Sequence, residues 1–303
     1  MKDIIKVSAV NFKASHNNKK ENIEKMLHFI SSAAKENSDL VVLPELCTTG
    51  YDVFASDMPV EDKAALCEGA DGESVAIIKA AAQKNGIYTV FGFAESCRDK
   101  FYNSAAAISA EGEVEIYRKL HLFGREGLFF ARGSEPVLLD TPWGRTGIGI
   151  CYDTYNFPEL LRYYAYKGAR LYLNPTAMAF ENDSDGAKES FCNYYRRTLE
   201  YNVVNTGMFV VSSNLTGVDD TSRFGGGSLV MGVGEDGFKR PCVRYFAGSI
   251  ENENEGIFTA EIDLTKHNPR LFVPSAITGD TDFKPEIYCG FYREPLINSL
   301  KQI

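Results

Sequence analysis

GIGICYDTYNFPEL, residues 147–160, is an apolar run that ends on Cys151, passes through Tyr152-Asp153 and bends at Pro158. It reads as a short buried strand, a turn, and then a helix-period segment over 157–167. The same punctuation recurs in DLVVLPE (39–45), ARLYLNPT (169–176) and FVVSSN (209–214), each an apolar run stopped by polar, turn-forming residues. Helical periods lie between these runs. In 19–36, Ile23, Met26, Leu27, Ile30 and Ala34 share one face, and 72–85 is similar. MKDIIKVSAVNF at the start alternates and reads as a first strand, whereas YNSAAAIS, GEVEIYRK and RFGGGSLVMG read as strands joined by tight turns. Strand and helix alternate, so the expected class is α/β, with antiparallel pairs making one or two mixed sheets.

The whole chain bounds what such a fold does. Its 303 residues, 44% hydrophobic and 24% charged, are enough for a sizeable core. A net charge of −9 without a basic patch gives no reason to expect nucleic acid. No stretch is long and apolar enough for a bilayer or a signal peptide, so no membrane partner and a cytoplasmic location are expected. Seven cysteines (47, 67, 97, 151, 192, 242 and 289) without close pairing argue against disulfides or a zinc knuckle. Four separated histidines (16, 28, 121 and 267) complete no metal pattern, and no metal or cofactor is expected. ENDSDGAKES (181–190) is expected to be a mobile excursion. Periodicity fades from about Asn268, which divides the chain into a domain over 1–265 and an extension over 266–303, packed on the domain or on a partner subunit.

In open α/β sheets, reactive side chains gather beyond the carboxyl ends of the strands. Glu45 stands there, after Pro44, which cannot donate a ladder hydrogen bond and so helps to end the strand. Cys151 stands there too. By itself it reads either as a packed thiol, since free cysteine behaves as a small hydrophobe, or as a nucleophile whose following N–H is an oxyanion donor. In EVEIYRKLHLFGREGLFF (113–130), alternation from Val114 through Ile116 sets Glu115, Tyr117 and Lys119 opposite the aliphatics. A lysine on such a face is either solvated or, beside a tetrahedral centre, an oxyanion clamp that also lowers a thiol's pKa.

LPELCTTGYD, YRKLHLFGREGLFFARG and GICYDTYNFPELLRYYAYKGARLYLNPTA resemble, in order and at typical separations, the three signature blocks of the nitrilase superfamily of carbon–nitrogen hydrolases. The resemblance runs from the first strand through GMFVVSSNLTG and FGGGSLVMGVGEDG to the strand near Phe258. It implies a four-layer α-β-β-α sandwich of two mixed sheets, assembled as a homodimer or larger homo-oligomer. It also implies Glu45 as general base, Lys119 as oxyanion stabiliser, Cys151 as nucleophile, and Glu126 as a second glutamate that helps position substrate and water. The residue types fit the chemistry of an amide, which needs a thiolate, a base that returns the proton to nitrogen, and an oxyanion clamp. The Tyr152 backbone N–H would share the clamp, and an acyl-enzyme thioester would release first ammonia or an amine and then a carboxylic acid.

Two departures bear on the substrate. The family commonly places two residues between Cys-Tyr-Asp and Phe-Pro-Glu, whereas CYDTYNFPE has three, and the extra residue is expected to reshape the pocket. Where relatives carry Arg-Ala-x-Glu-Asn, this chain has NVVNTG (202–207), so a helix-end contact is expected to be lost or replaced, with Arg196, Arg197 and Glu200 as candidates. Cys-Tyr-Asp resembles the amidase and carbamoylase branches more than the Cys-Trp-Glu of true nitrilases. A small-molecule amide is therefore expected as substrate, an N-carbamoyl amino acid or amine is the alternative, and a nitrile is less favoured. A carbamoylase for amino acids needs a cation for the substrate carboxylate, and Arg125, Arg132, Arg162, Arg196 and Arg197 are the candidates. Pocket walls are expected from Tyr51, Phe123, Tyr152, Tyr155 and the NPTAM turn with Asn174 and Thr176. A non-catalytic scaffold would have no need of Glu45, Lys119, Cys151 and Glu126 together. Lys119→Met is expected to depress turnover far more than stability.

Overall fold

The computed structural model describes residues 1–180, 185–235 and 241–293, with strands β1–β15 and helices α1–α8 numbered along the chain. One six-stranded sheet runs Gly256–Asp263 (β15), Ile4–Asn11 (β1), Leu40–Val42 (β2), Tyr88–Cys97 (β3), Lys100–Ile108 (β4), Val114–Arg118 (β5). The second runs Pro241–Gly248 (β14), Leu229–Glu235 (β13), Phe209–Asn214 (β10), Leu171–Thr176 (β8), Gly144–Ile148 (β7), Leu138–Thr141 (β6). Each has a parallel centre, β1-β2-β3 and β7-β8-β10, with antiparallel flanks. A small third sheet joins Thr216–Val218 (β11), Arg223–Gly225 (β12) and Ala179–Phe180 (β9).

The side-chain period of two builds the layers. In the first sheet Leu40, Val42, Val90, Ala105 and Ala107 face the inter-sheet core, while Val41, Phe91, Ala106 and Ile108 face Lys19–Lys35 (α1) and Glu73–Asn85 (α4). Pro158–Tyr166 (α6) and Asp185–Thr206 (α7) cover the second sheet. The result is the expected four-layer α-β-β-α sandwich of two mixed sheets. Three short helices, Asp52–Ala55 (α2), Val60–Leu66 (α3) and Tyr152–Asn156 (α5), fill out the loops. The sheets are tied together where their central strands end: Ser213 Oγ donates to the Val42 carbonyl (2.7 Å) and Ser228 Oγ to that of Val10 (2.9 Å). Polar bonds there hold the two carboxyl ends in register.

One open reading is decided and two expectations change. The face of β5 that carries Tyr117 and Lys119 points inward: both are buried, and Val114 and Ile116 are only half-buried against the helix-side layer. Alternation separates the faces, but in a sandwich the second sheet, not polarity, decides which one is interior. Of ENDSDGAKES, residues 185–190 open α7, and 181–184 lie outside the described residues. The C-terminal stretch is also more regular than its fading period suggests, because Pro285–Arg293 forms α8. Phe283, just before it, packs against Phe272 and Tyr166 with ring centroids 5.1 and 5.8 Å away, and Tyr292 donates to Glu159 Oε1 (3.2 Å). That part of the tail therefore lies on α6 of its own chain, and residues 294–303 are outside the described part.

The helix-end contact near 202–207 is made by Asn202, which donates to the Thr154 carbonyl at 2.8 Å. The charged candidates are engaged elsewhere or exposed: Arg196 with Glu251, Glu200 with the Tyr245 hydroxyl (2.8 Å), and Arg197 on the surface. Among the described residues no helix is long and apolar enough to cross a membrane, and no cluster of three His, Cys, Asp or Glu side chains could hold a metal.

Candidate active site

Strand β2 stops at Val42, and the chain turns through Leu43-Pro44 to present Glu45 beneath Gly92. A Cβ on Gly92 would lie 2.4 Å from the Leu46 nitrogen, so the turn can approach β3 only over a glycine. Glu45 is wholly buried. Its Oε1 accepts from Asn103 Nδ2 (2.7 Å) and Lys119 Nζ (2.6 Å), and its Oε2 has no hydrogen-bond partner within the described protein. Lys119 follows the last residue of β5 and is pinned through its backbone, its N–H to the Asn103 carbonyl (2.9 Å) and its carbonyl from the Gly133 N–H (2.8 Å). The ammonium then bridges from Glu45 to Glu126 Oε1 (2.8 Å). Glu126 sits in the 3-10 turn Gly124–Leu128 and also accepts from the Tyr51 hydroxyl (2.6 Å) and the Phe123 N–H (3.3 Å).

Two carboxylates around one ammonium leave this buried cluster with an excess negative charge. Burial raises the Glu45 carboxyl above the ordinary carboxylate range against the pull of Lys119, and the negative charge of Glu126 adds to the rise. Burial alone would lower Lys119, but Glu126 and Glu45 outweigh it, so the lysine stays charged. For Cys151 burial again comes first and the Glu45 carboxylate adds to it; Lys119 opposes both without cancelling them. The resting sulfur is therefore a thiol in the field of both Glu45 and Lys119.

Cys151 is held at a sharp elbow. Its N–H donates to the Pro175 carbonyl (3.0 Å) and to Asn174 Oδ1 (3.2 Å), and its backbone adopts φ 50°, ψ −104°. A non-glycine residue in that region costs on the order of 1–3 kcal/mol, which the surrounding bonds must offset. The Tyr152 N–H, first in α5, has no acceptor within the helix. Asp153, wholly buried, locks the elbow to the lysine's segment. Its Oδ2 accepts from the Ile150 N–H (3.1 Å) and the Tyr117 hydroxyl (2.7 Å), and its Oδ1 accepts from the His121 N–H (2.9 Å) with His121 Nδ1 2.8 Å away. The His121 ring stacks on Phe157 with centroids 3.5 Å apart. Asp153→Asn places an amide N–H against donors and is expected to destabilise the protein by about 2–4 kcal/mol in urea unfolding. A loss below about 0.5 kcal/mol would mean that the network bears little load.

Cys151 opens on a cavity of about 820 Å³. Tyr51, Phe123, Tyr152 and Tyr155 line it. Asn174 and Thr176 do not; both are wholly buried behind the elbow. There Asn174 Nδ2 donates to the Tyr155 (2.9 Å) and Ser212 (2.7 Å) hydroxyl oxygens, and Tyr155 donates to Thr176 Oγ1 (3.0 Å). Asn174 thus sets the Tyr155 ring and the elbow from the rear, while the Thr176 hydroxyl accepts from Tyr155 and also hydrogen-bonds the Cys151 thiol. None of the five candidate arginines lines the cavity: Arg125 pairs with Asp57, Arg162 lies over the Phe283 ring, Arg196 pairs with Glu251, and Arg132 and Arg197 are exposed.

Several lining residues escape a reading of sequence alone, notably Asn156, Phe180, Phe191 and Tyr194, and the wall at Thr221-Ser222. That wall is fixed by Asp52, nearly wholly buried, whose Oδ2 accepts from the Thr221 (2.8 Å) and Ser222 (2.7 Å) N–H groups and whose Oδ1 accepts from Ser222 Oγ (2.6 Å). Asp52 immediately follows Tyr51 at the end of LPELCTTGYD, and that position is the local signal that marks it.

Known proteins resemble this chain to different depths. The sequence model of the carbon–nitrogen hydrolase family matches residues 6–267. A nitrilase from Pyrococcus abyssi is 30% identical over 245 residues, 80% of this chain and 84% of that protein. A 2-oxoglutaramate amidase from Bacillus subtilis is 30% identical over 263 residues, 85% and 90% of the two chains. Among solved structures, an amidase from Nesterenkonia sp. AN1 superposes with a TM-score of 0.70 at 20% identity, covering 95% of this chain and 96% of that one, which shows the shared fold. Family match and fold point the same way, and the chain belongs to the carbon–nitrogen hydrolases of the nitrilase superfamily, enzymes that hydrolyse carbon–nitrogen bonds.

Proposed function

We propose that the protein is an amidase that cleaves the C–N bond of a small amide through a thioester on Cys151. The observation that carries this reading is Lys119 buried between Glu45 and Glu126, with Glu45 Oε2 unpartnered and both Glu45 and Lys119 acting electrostatically on the Cys151 thiol, which lines the cavity. Glu45 Oε2 takes the Cys151 proton as sulfur attacks the amide carbon. Lys119 and the Tyr152 N–H hold the resulting oxyanion. Collapse breaks the C–N bond, and the departing nitrogen takes the proton from Glu45, leaving the thioester. A water then loses its proton to Glu45 and attacks the same carbon. The C–S bond breaks, the proton returns to sulfur, and the carboxylic acid leaves. Glu126 fixes the ammonium so that Lys119 stays aimed at the oxyanion while Glu45 is free to change its protonation.

The carbamoylase alternative for amino acids has less support, because it asks for a cation at the substrate carboxylate and the described lining residues include neither lysine nor arginine. Ammonia release across primary amides, N-carbamoyl amino acids, N-carbamoyl amines and nitriles tests the reading, with hydroxylamine present in a parallel series. Hydroxylamine should intercept the thioester, so hydroxamic acid forms from primary amides at the expense of the carboxylic acid. Ammonia without any hydroxamate would remove the thioester. Silence from every amide would remove the amidase.

A further inference from the structure

We infer that the acyl group accepted here is uncharged and carries an aromatic ring, an inference that rests on the amidase reading above. The cavity beside Cys151, at about 820 Å³, is far larger than a carboxamide head and its immediate carbons require. Its outer part is built from rings brought in by separate segments: Phe180 from β9, Phe191 and Tyr194 from α7, Tyr155 from α5, and Phe123 from the turn before Glu126. These rings already meet one another as aromatic pairs, Phe180 with Phe191 at 5.6 Å and Tyr155 with Tyr194 at 6.3 Å between centroids. Phe123 stands edge-on to Tyr152 at 5.2 Å. Phe123 and Tyr194 remain 56% and 42% exposed at the mouth, so their faces are open to an entering ring.

Charge completes the selection. Among the described lining residues none is Asp, Glu, Lys or Arg. The nearest cations along the chain, Lys188 and Arg223, both pair with Glu253. Behind the lining, where Tyr51 donates to Glu126 at 2.6 Å, the Glu45–Lys119–Glu126 cluster carries one negative charge more than it neutralises. A carboxylate on the acyl tail would give up water, gain no cation and approach that excess charge. The neutral hydroxyls of Ser190, Thr221 and Ser222 leave the wall polar enough to be wetted and give an anion no counter-charge. The longer elbow between Asp153 and Phe157 contributes directly: it brings both Tyr155 and Asn156 to the lining, and Asn156 Nδ2 donates to the Tyr194 hydroxyl at 3.0 Å. The extra residue thus sets a ring of α7 at the mouth.

The test is kcat/KM at neutral pH for three primary amides: 3-phenylpropionamide, butyramide and glutaric acid monoamide. 3-Phenylpropionamide should exceed butyramide by at least roughly 10-fold, mainly through KM, and the monoamide by at least roughly 100-fold. Tyr194→Ala should narrow the phenyl-to-butyramide ratio by about 5-fold or more. A monoamide turned over as well as the phenyl amide, or a phenyl ring that gains nothing over butyramide, overturns the inference and leaves the amidase reading standing. No ammonia from any of the three overturns that reading and the inference with it.

Discussion

Cys151→Ala is expected to abolish amide turnover, by a factor on the order of 10⁴ or more, and to leave the fold in place. The loss is large because the oxyanion donors and the base remain with nothing for them to assist: water has no thioester to attack, and Glu45 has no thiol proton to take. The fold survives because the contacts that shape the elbow are made by backbone and neighbours. Its N–H to Pro175 and Asn174 and the Asp153 bonds to Ile150, Tyr117 and His121 do not involve the sulfur. Alanine meets the same φ of 50° with a smaller side chain. Removing one buried sulfur costs about 1 kcal/mol, a melting shift of roughly 1–2 °C for a chain of this size. Ammonia release on the best wild-type amide, beside a thermal melt, reads both quantities. Turnover within tenfold of wild type would take the nucleophile's role away from Cys151.

What the sequence makes legible divides by range. Strand ends are local events, marked by Pro44 and by the break after Ile150, so the positions of Glu45 and Cys151 can be read directly. The place of Lys119 is half-legible: alternation puts it on Tyr117's face, but only the second sheet makes that face the interior. Asn174 and Thr176 show the limit more sharply. Both stand at the end of a strand next to the site, yet neither lines the cavity, because what lies across from them is set by Thr154 and Tyr155 of α5 and Ser212 of β10, two other segments. The Asp52 clamp spans some 170 residues and the Asp153 network joins two strands of different sheets, contacts that no spacing rule encodes. The pocket's outer rings on α7 lie beyond the same horizon, since that helix's period looks like ordinary packing from sequence.

Glu45→Gln and Lys119→Met are both expected to silence the enzyme and to move stability in opposite directions. Losing the base should lower kcat by about 10²–10⁴-fold. Burial raises the folded pKa of Glu45 above its unfolded value near 4.5. Its stabilising contribution is therefore full below the unfolded pKa and is lost as pH rises through the folded one. Gln, which does not titrate, escapes that loss and still offers Lys119 and Asn103 an oxygen. The variant should therefore gain on wild type as pH rises from 4.5, by up to about 1.4 kcal/mol per pH unit inside the window. Lys119→Met does the reverse. The sequence alone suggests a loss of turnover with little loss of stability, but the ammonium is wholly buried between two carboxylates, and removing it strands both. The expected cost is about 3–5 kcal/mol at pH 8, shrinking toward pH 4.5 as the carboxylates take up protons. Urea unfolding of the three proteins at pH 4.5, 6 and 8 separates the cases. A Met variant as stable as wild type at pH 8, or a Gln variant that falls behind wild type as pH rises, would show that the cluster does not hold an excess negative charge, and the base would have to be sought elsewhere.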